Sequence, residues 1–474
     1  MGSRTIRRPL VLALALSLLP TLASAEDLLQ TYELARQGDP QLSAAQANRL
    51  ATKEDRIQAR AALLPSLSGS VSLNRSRSTS QGGSGSDDGS DLPAGAMFKS
   101  ESTNRRSGLT ASQMLYNRAS IKTYQGQNVL SEASDFTLES ANQELITRTS
   151  AAYFDVLVKL ENLAAAEAAE TALQKQFDYA SKRLEVGLAP ITDVHEARAQ
   201  YDSARAGTIT ARNQVEDAYQ ALSQITGQPV RTLKALPADF KPALPESRDV
   251  ESWVDNAVQN NPALHAQELQ VRASEIGVET ARAGHWPTLS LTGGYSDSAT
   301  WGDRTFMGAT RDAPGNSSYG PSIGVELSIP IFAGGRIQSG VRQALARRDA
   351  AQDELERQKR QLVRTTRNAY QTLVAGISEV EARRLALVSA QAAYDASQVG
   401  LEVGTRTVLD VLNNQRTLLQ AQQAYATAKY NYLQNRLLLE QAAGSLDVGD
   451  VQEINRLLTA DAATNLAPPP SGMQ

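Results

Sequence analysis

The sequence predicts a mixed α and β membrane protein, an internal duplication in which long helices alternate with paired strands. Three observations carry this expectation. Pro40, Leu42, Arg60, Pro65 and Leu67 recur 222 residues later as Pro262, Leu264, Arg282, Pro287 and Leu289. Leu184-Glu185-Val186-Gly187 recurs 217 residues later as Leu401-Glu402-Val403-Gly404, with Asp193 matched by Asp410 and Gly227 by Gly444. Each half also sets a stretch of hydrophobic period two beside long proline-free stretches of helical composition. Elements repeated in the same order build a symmetric arrangement from one supersecondary unit. The expected organisation is residues 1–25 as signal peptide, 26–227 as first structural repeat, 228–250 as linker, 251–444 as second repeat, and 445–474 as a C-terminal segment.

In residues 1–25, Arg4, Arg7 and Arg8 precede the apolar run Leu10 to Leu19 and the small-residue site Ala23-Ser24-Ala25, the three-part pattern of a secretory signal. The run is too short for the ~20 residues a membrane-spanning helix needs. The chain contains no cysteine, which excludes disulfides, thiolate metal sites and an acylated-cysteine anchor. Removing the three signal arginines takes the formal charge from −4 to −7, and no basic tract suits nucleic acid. With aromatics at only 5%, the Ala, Gln, Glu and Arg-rich stretches point to elongated helices packed through small side chains.

Asp39 to Leu63 reads as a helix that ends before Pro65, because a proline pushes its predecessor out of the α region. Leu67, Gly69, Val71 and Leu73 then alternate with Ser66, Ser68, Ser70 and Ser72, a strand with one apolar and one polar face. The Ser, Gly and Asp-rich stretch Ser76 to Ser107 reads as a long exposed loop, and Leu109 to Tyr116 as the returning strand. Ala119 to Leu184 reads as one helix of about 100 Å. Asp193 to Ile225 completes the half.

The second half repeats the series: helix Pro262 to Gly284, a strand from Thr288, a loop from Ser296 to Gly320, a strand from Ser322 to Phe332, then helices Ile337 to Gly400 and Asp410 to Ala443. In that last strand Ile323, Val325, Leu327, Ile329 and Ile331 share a face. In each half the two shorter helices together match the long one in length, so they can stack end to end beside it. Tyr116, Trp286, Tyr295, Trp301 and Phe332 lie at or near strand ends, as interfacial aromatic girdles do, although a soluble sheet would show the same alternation. Four strands of about ten residues suit the height of a membrane barrel, yet four cannot close one, and open edges are not tolerated in lipid. Since the smallest such barrels have about 8 strands, closure takes two or three copies of the chain.

Two motifs are more specific. Val186-Gly187-Leu188 with Ile191-Thr192-Asp193-Val194 and Ala197 to Asp202 form one; Val403-Gly404-Thr405-Arg406-Thr407-Val408-Leu409-Asp410-Val411-Leu412 with Lys429 to Leu433 form the other. They resemble the two helical hairpin tips of the TolC-like outer-membrane efflux protein family, and the resemblance spans essentially the whole mature chain. It implies a homotrimer whose twelve-stranded barrel lies in outer-membrane lipid, a long periplasmic α-helical tunnel, and an equatorial belt drawn from Gln228 to Asp249 and the segment after Ser445. The implied function is a passive exit duct for tripartite efflux or type I secretion. Its implied partners are a periplasmic adaptor (membrane fusion protein) and an inner-membrane pump of the RND or ABC transporter class.

By the same resemblance, Thr192, Asp193 and Arg406 would form the periplasmic gate, and Asp410 with Asn413 the pore constriction. Val186, Gly187, Leu188, Val403, Gly404 and Thr405 would meet the adaptor. An arginine fork can hold a carboxylate through two hydrogen bonds, but a partly solvated pair contributes only about 1 kcal/mol, so a docking partner can displace it. Asp193 and Asp410 each follow a glycine turn and are equally placed to cap the next helix, and the glycines are also what a tight helical turn needs. Two departures stand out. Leu401 replaces the family's tyrosine, removing a gate hydrogen bond, and Asn413 replaces one of two acidic residues, leaving a weaker acidic ring and a leakier closed state.

No reaction chemistry accompanies these features. His195, His265 and His285 lack metal-ligand spacing, and no nucleophile elbow or phosphate-binding loop is present. The expectation is therefore no enzyme, cofactor or metal. A soluble periplasmic adaptor or structural coiled-coil protein shares the signal and the helices but not the duplicated strand pairs. A hydrolase acting on surface polymers lacks any supporting constellation.

Overall fold

Alanine-rich and free of proline, Arg118–Glu185 forms a single helix of 68 residues, and its counterpart in the second half, Arg336–Glu402, one of 67. The computed structural model describes residues 27–81, 97–237, 240–243, 249–306 and 309–462. The signal peptide, the glycine-rich stretch 82–96 and the tail 463–474 lie outside the described residues. In chain order the elements are α1 (Leu28–Gly38), α2 (Pro40–Ala61), β1 (Ser66–Gln81), β2 (Met97–Tyr116), α3 (Arg118–Glu185) and α4 (Ile191–Thr226). They are followed by β3 (Lys234–Ala235), α5 (Val250–Asn260), α6 (Pro262–Arg282), β4 (Thr288–Phe306) and β5 (Ala309–Ser328). The chain closes with α7 (Arg336–Glu402), α8 (Val408–Ala443), α9 (Val448–Leu457) and β6 (Ala460–Asp461). It divides into two units, one of Met1–Ala47, Phe136–His265 and Arg357–Gln474, the other of Asn48–Asp135 and Ala266–Glu356.

The second unit holds an antiparallel sheet in the order β1-β2-β4-β5. Its strands run for 16, 20, 19 and 20 residues, about twice the expected length, and most of the stretches expected as loops are strand. Serine and glycine suggest loops by composition, but small polar residues fit a pleat when the ladder pairs them. Hydroxyls bridge Ser76 to Ser102 at 2.9 Å, Ser298 to Ser318 at 3.0 Å and Thr305 to Thr310 at 2.9 Å. In the other direction, β5 stops at Ser328 rather than Phe332. Pro330 has no N–H to donate to a ladder, so Ile329, Ile331 and Phe332 lie beyond the strand.

The register gathers Leu67, Val71, Leu109, Tyr295, Ile323 and Val325 onto one face. Val71 is 81% exposed and Ile323 83%, so no described residue covers this face. From the level of Leu73 the same face turns ionic: Arg105, opposite Leu73, pairs with Asp297 at 3.0 Å, and past it Arg75 and Arg77 pair with Glu101. At the opposite end of the strands the Arg118 guanidinium lies 4.6 Å over the Trp286 ring. The apolar part of each strand is thus a band of about ten residues, the length a tilted strand needs to cross a bilayer.

The first unit contains α1, α5 and α9, three short helices that periodicity alone did not mark, and a two-residue pairing of β3 with β6. That pairing joins segment 228–249 to the segment after Ser445. Asp39 is the C-cap of α1, and its carboxylate also accepts from the Leu42 amide at 2.9 Å, capping α2, whose first residue is Pro40. Asn261 does both jobs between α5 and α6, accepting from Leu264 at 3.1 Å and donating to the Ala442 carbonyl at 3.3 Å.

The long helices end against these junctions. α4 and α8 terminate in left-handed glycines, Gly227 (φ 70°) and Gly444 (φ 76°). A Cβ on Gly38 would strike the Thr226 carbonyl, and one on Gly444 would come within 2.5 Å of the Asn260 carbonyl oxygen. The expected end-to-end meeting of the shorter helices is present at both places.

Between α3 and α8 lies a buried ionic contact. Glu161 accepts from Lys429 Nζ at 3.0 Å and from the Tyr430 hydroxyl at 2.9 Å, and the Lys429 ammonium sits 5.0 Å from the Tyr425 ring centroid. Burial and the adjacent Glu161 carboxylate push the Tyr430 hydroxyl well above its ordinary range, so it stays a neutral donor.

Two stability outcomes are expected. Glu161→Ala strands an ammonium whose residue is only 5% exposed and lowers stability by about 3 kcal/mol. The double variant Glu161→Leu/Lys429→Met recovers most of that loss in urea unfolding followed by helical circular dichroism; an equal loss in both would refute a charge-burial origin. Gly444→Ala combines a left-handed backbone with a carbonyl clash and should cost about 2 kcal/mol or more in the same assay.

Candidate gate and docking site

The two helical hairpin tips of the first unit are built alike. At the first, Gly187 adopts φ 74°, its amide bonds to the Leu184 carbonyl at 2.9 Å, and the Leu188 amide reaches the Arg183 carbonyl at 2.8 Å. At the second, Gly404 adopts φ 80°, its amide bonds to the Leu401 carbonyl at 3.2 Å, and the Thr405 amide reaches the Gly400 carbonyl at 2.8 Å. A Cβ on either glycine would meet nothing within 4 Å, so the turn requires their backbone conformation rather than space. Val186, Leu188 and Val403 project into solvent from these turns, while the Thr405 hydroxyl turns back to the Gly400 carbonyl at 3.2 Å.

Asp410 and Asp193 differ in their local bonding. Thr407 is the N-cap of α8, and its hydroxyl accepts from the Asp410 amide at 3.2 Å. The Asp410 carboxylate accepts in return from the Thr407 amide and hydroxyl, both at 2.9 Å, a reciprocal capping box. Asp410 is therefore the third residue of the helix and not its cap. Those Thr407 hydrogen bonds, aided by the nearby Arg406 charge, hold its carboxyl below the usual range. α4 has Pro190 at its N-cap position with no side-chain cap, and Asp193 sits in its first turn with its amide on the Pro190 carbonyl at 3.2 Å. The Asp193 carboxylate makes no hydrogen bond or ion pair among the described residues.

Arg406 is held at its stem and free at its head. Its amide bonds to the Gly400 carbonyl at 3.0 Å, and a Cβ on Gly400 would come within 2.6 Å of its Cγ. Its guanidinium has no hydrogen-bonding or ionic partner among the described residues. Thr192 is exposed beside Asp193. Asn413 lies one turn beyond Asp410, and its side-chain oxygen accepts from Arg416 Nη2 at 3.2 Å.

Arg416, against Asn413, and Gly400, against the Arg406 stem, are contacts that sequence reasoning missed. The i to i+3 spacing of Asn413 and Arg416 was a readable signal for the first; Gly400 needed the folded turn. Leu401 is 6% exposed and packs with Tyr394, Val408, Val411 and Leu412, so at the position where a gate hydrogen bond was expected to be missing the chain gains an apolar hairpin core. The histidines form no site. His195 and His285 are exposed, and His265 Nε2 lies 2.8 Å from the Gln259 carbonyl oxygen. Among the described residues no group of three His, Cys, Asp or Glu could hold a metal.

The capping box makes the second tip sensitive to acid. Because the Asp410 carboxyl is depressed in the folded state, its contribution is complete at neutral pH and is lost as the pH falls through that depressed value. Amide hydrogen exchange at Val408 to Val411, corrected for its intrinsic pH dependence, should accelerate over that acidic range. In Thr407→Ala exchange should be several-fold faster already at neutral pH and the acid step absent; an unchanged acid step would remove the capping box as its cause.

The family model described as outer membrane efflux protein matches residues 31–228 and 253–445, one block in each repeat. Outer membrane protein TolC of Escherichia coli K12 is 34% identical over 461 residues, covering 96% of this chain and 90% of that protein. The proteases secretion protein PrtF of Dickeya chrysanthemi is 28% identical over 454 residues, covering 94% of each. The crystal structure of the Campylobacter jejuni CmeC outer membrane channel has a TM-score of 0.72 at 19% identity, covering 92% of this chain and 90% of that one, which shows a shared fold. No comparison supports the soluble adaptor alternative. A duplicated chain with two left-handed glycine tips, a four-stranded sheet apolar on one uncovered face, and this match across both repeats belongs to the outer membrane efflux protein family: it is an outer-membrane, periplasm-spanning channel protein and not an enzyme.

Proposed function

We propose that three copies of the chain close a twelve-stranded barrel and a helical tunnel whose periplasmic tip is gated by the two hairpins. The observation that carries the assembly is the strand order β1-β2-β4-β5, which leaves β1 and β5 as unpaired edges. All pairings within the sheet are antiparallel, so β5 of one copy can take β1 of the next in the same sense, and only a closed ring satisfies those backbone groups in lipid. The domain reading follows, with two repeats flanking a linker at 228–250 and a belt completed after Ser445.

In the gate, the unpaired Arg406 guanidinium and the unpaired Asp193 carboxylate, with Thr192 beside it, are complementary partners across neighbouring hairpins. Such a pair at an exposed tip is worth about 1 kcal/mol, weak enough for a docking protein to break. Val186, Gly187, Leu188, Val403, Gly404 and Thr405 form the surface that a periplasmic adaptor engages, coupling the duct to an inner-membrane RND or ABC pump. Secreted protein is one class of cargo for such a duct, as the name of the proteases secretion protein PrtF suggests for that relative. Threefold symmetry would set three Asp410 carboxylates around the pore, favouring cations, with Asn413 neutral and Arg416 opposing them.

Conductance in planar bilayers tests this reading. Wild-type protein should form small pores that prefer cations, Arg406→Ala should enlarge them severalfold, and Asp410→Ala should weaken the preference. Gly400→Ala should behave like Arg406→Ala, because the added methyl displaces the arginine stem. Large ungated pores in the wild type would refute the gate, and the absence of pores would refute the duct.

A further inference from the structure

The polar face of the sheet is nearly devoid of charge. Along β1 it presents Ser66, Ser68, Ser70, Ser72, Asn74, Ser76, Ser78 and Ser80, an almost continuous hydroxyl ladder. The register places Gly108, Thr110 and Ser112 of β2, Thr292, Ser296 and Ser298 of β4, and Ser318 and Ser322 of β5 on the same face. Its charged residues among the described positions are Arg106, Arg304, Arg311 and Glu326. Glu326 is opposite Ser290, near the start of β4, and Arg304 and Arg311 face each other near the end of the β4–β5 hairpin.

Arg106 sits alone between them. Ser72 and Ser298 flank it across the ladder and Asn104 and Gly108 along the strand, none of them ionisable. It is exposed, and its guanidinium has no hydrogen-bonding or ionic partner among the described residues. Its neighbour Arg105, on the apolar face, is neutralised by Asp297 at 3.0 Å, so the two adjacent arginines are treated oppositely. Arg106 lies level with Ser72, at the margin where the apolar band of the other face gives way to the Arg105–Asp297 pair.

We propose that Arg106 is a specificity-determining residue of the channel: in the closed barrel it forms a basic ring that favours anionic solutes, those bearing a carboxylate, sulfonate or phosphate. The inference rests on the trimeric barrel of the previous subsection, which turns the polar face toward the lumen. A positive ring bounded by neutral hydroxyls acts without a fixed carboxylate beside it on its own face among the described residues, and charged rings of this kind set the sign of selectivity in pores. The lumen then carries an acidic ring at the hairpin tips and a basic one in the sheet, so that its net preference is the difference between two filters and not the property of Asp410 alone.

Reversal potentials in planar bilayers under a potassium chloride gradient decide the matter. Arg106→Glu should raise the cation-to-anion permeability ratio by about twofold or more, with single-channel events retained. The chain has no cysteine, so Arg106→Cys introduces its only thiol. In pores already inserted, a sulfonate-bearing thiosulfonate should move the reversal potential toward cations, and an ammonium-bearing one should restore it toward the wild-type value. These post-insertion shifts do not depend on whether the charge-reversed protein assembles. Pores that form normally but keep their reversal potential under both reagents would overturn the role of Arg106 while leaving the duct intact. Absence of pores in the wild type would overturn the barrel and this role together.

Discussion

Backbone hydrogen bonding in lipid is the constraint on which the rest of the molecule depends. The sheet satisfies its interior ladders but leaves β1 and β5 with open edges, and its apolar face is uncovered. In water such a sheet would aggregate through those edges, and in lipid they cannot stay open, which is the argument for the closed barrel proposed above. Two strand pairs made from one repeated pattern alternate in direction, so the β1 and β5 edges run antiparallel to each other. Strand length reflects the environment as well. The apolar band is as long as a membrane requires, and the strands then continue as polar ribbon fixed by hydroxyl bridges and by Arg75, Arg77 and Arg105.

The helical unit solves a different problem, how to join short helices into long ones without exposing their ends. Asp39 and Asn261 each terminate one helix and start the next, and Gly227 and Gly444 let α4 and α8 end close against those junctions. The left-handed glycines remove the side chain that would hold the backbones apart. Asn261 also takes up a carbonyl at the end of α8 that would otherwise be unsatisfied. Beside these polar junctions, the Glu161–Lys429–Tyr430 contact adds little net stability compared with an apolar equivalent, but once formed it penalises loss of any one partner and so fixes the register of α3 against α8.

The hairpin tips combine rigidity with an open valence. Thr407 and Asp410 satisfy each other, Thr405 turns inward, and Leu401 is packed into the hairpin core, so the second tip is well defined locally. Arg406 emerges from this frame with its stem against Gly400 and its guanidinium without a hydrogen-bonding partner among the described residues. A group held at its base and free at its head loses little conformational entropy on pairing, which suits the gate contact proposed for it. Leu401 therefore contributes apolar packing to the hairpin.

Much of this was legible in the sequence. The 222-residue repeat fixed which elements correspond, proline-free stretches gave α3 and α7 to within two residues, and Leu67 to Leu73 declared a two-faced strand. These signals are local, because helix continuation and strand alternation are set by each residue and its near neighbours. Local composition also misled, hiding the outer half of each strand behind serine and glycine, whose pairing becomes visible only with the opposite strand. What needed the tertiary structure was whatever depends on partners distant in the chain: Glu161 finding Lys429, Gly38 receiving Thr226, Asp297 neutralising Arg105 while Arg106 stays free. Sequence determined the elements and their order because backbone preference and periodicity are short-range; tertiary structure decided which charges are cancelled, since that depends on distances of a few ångströms between residues far apart along the chain.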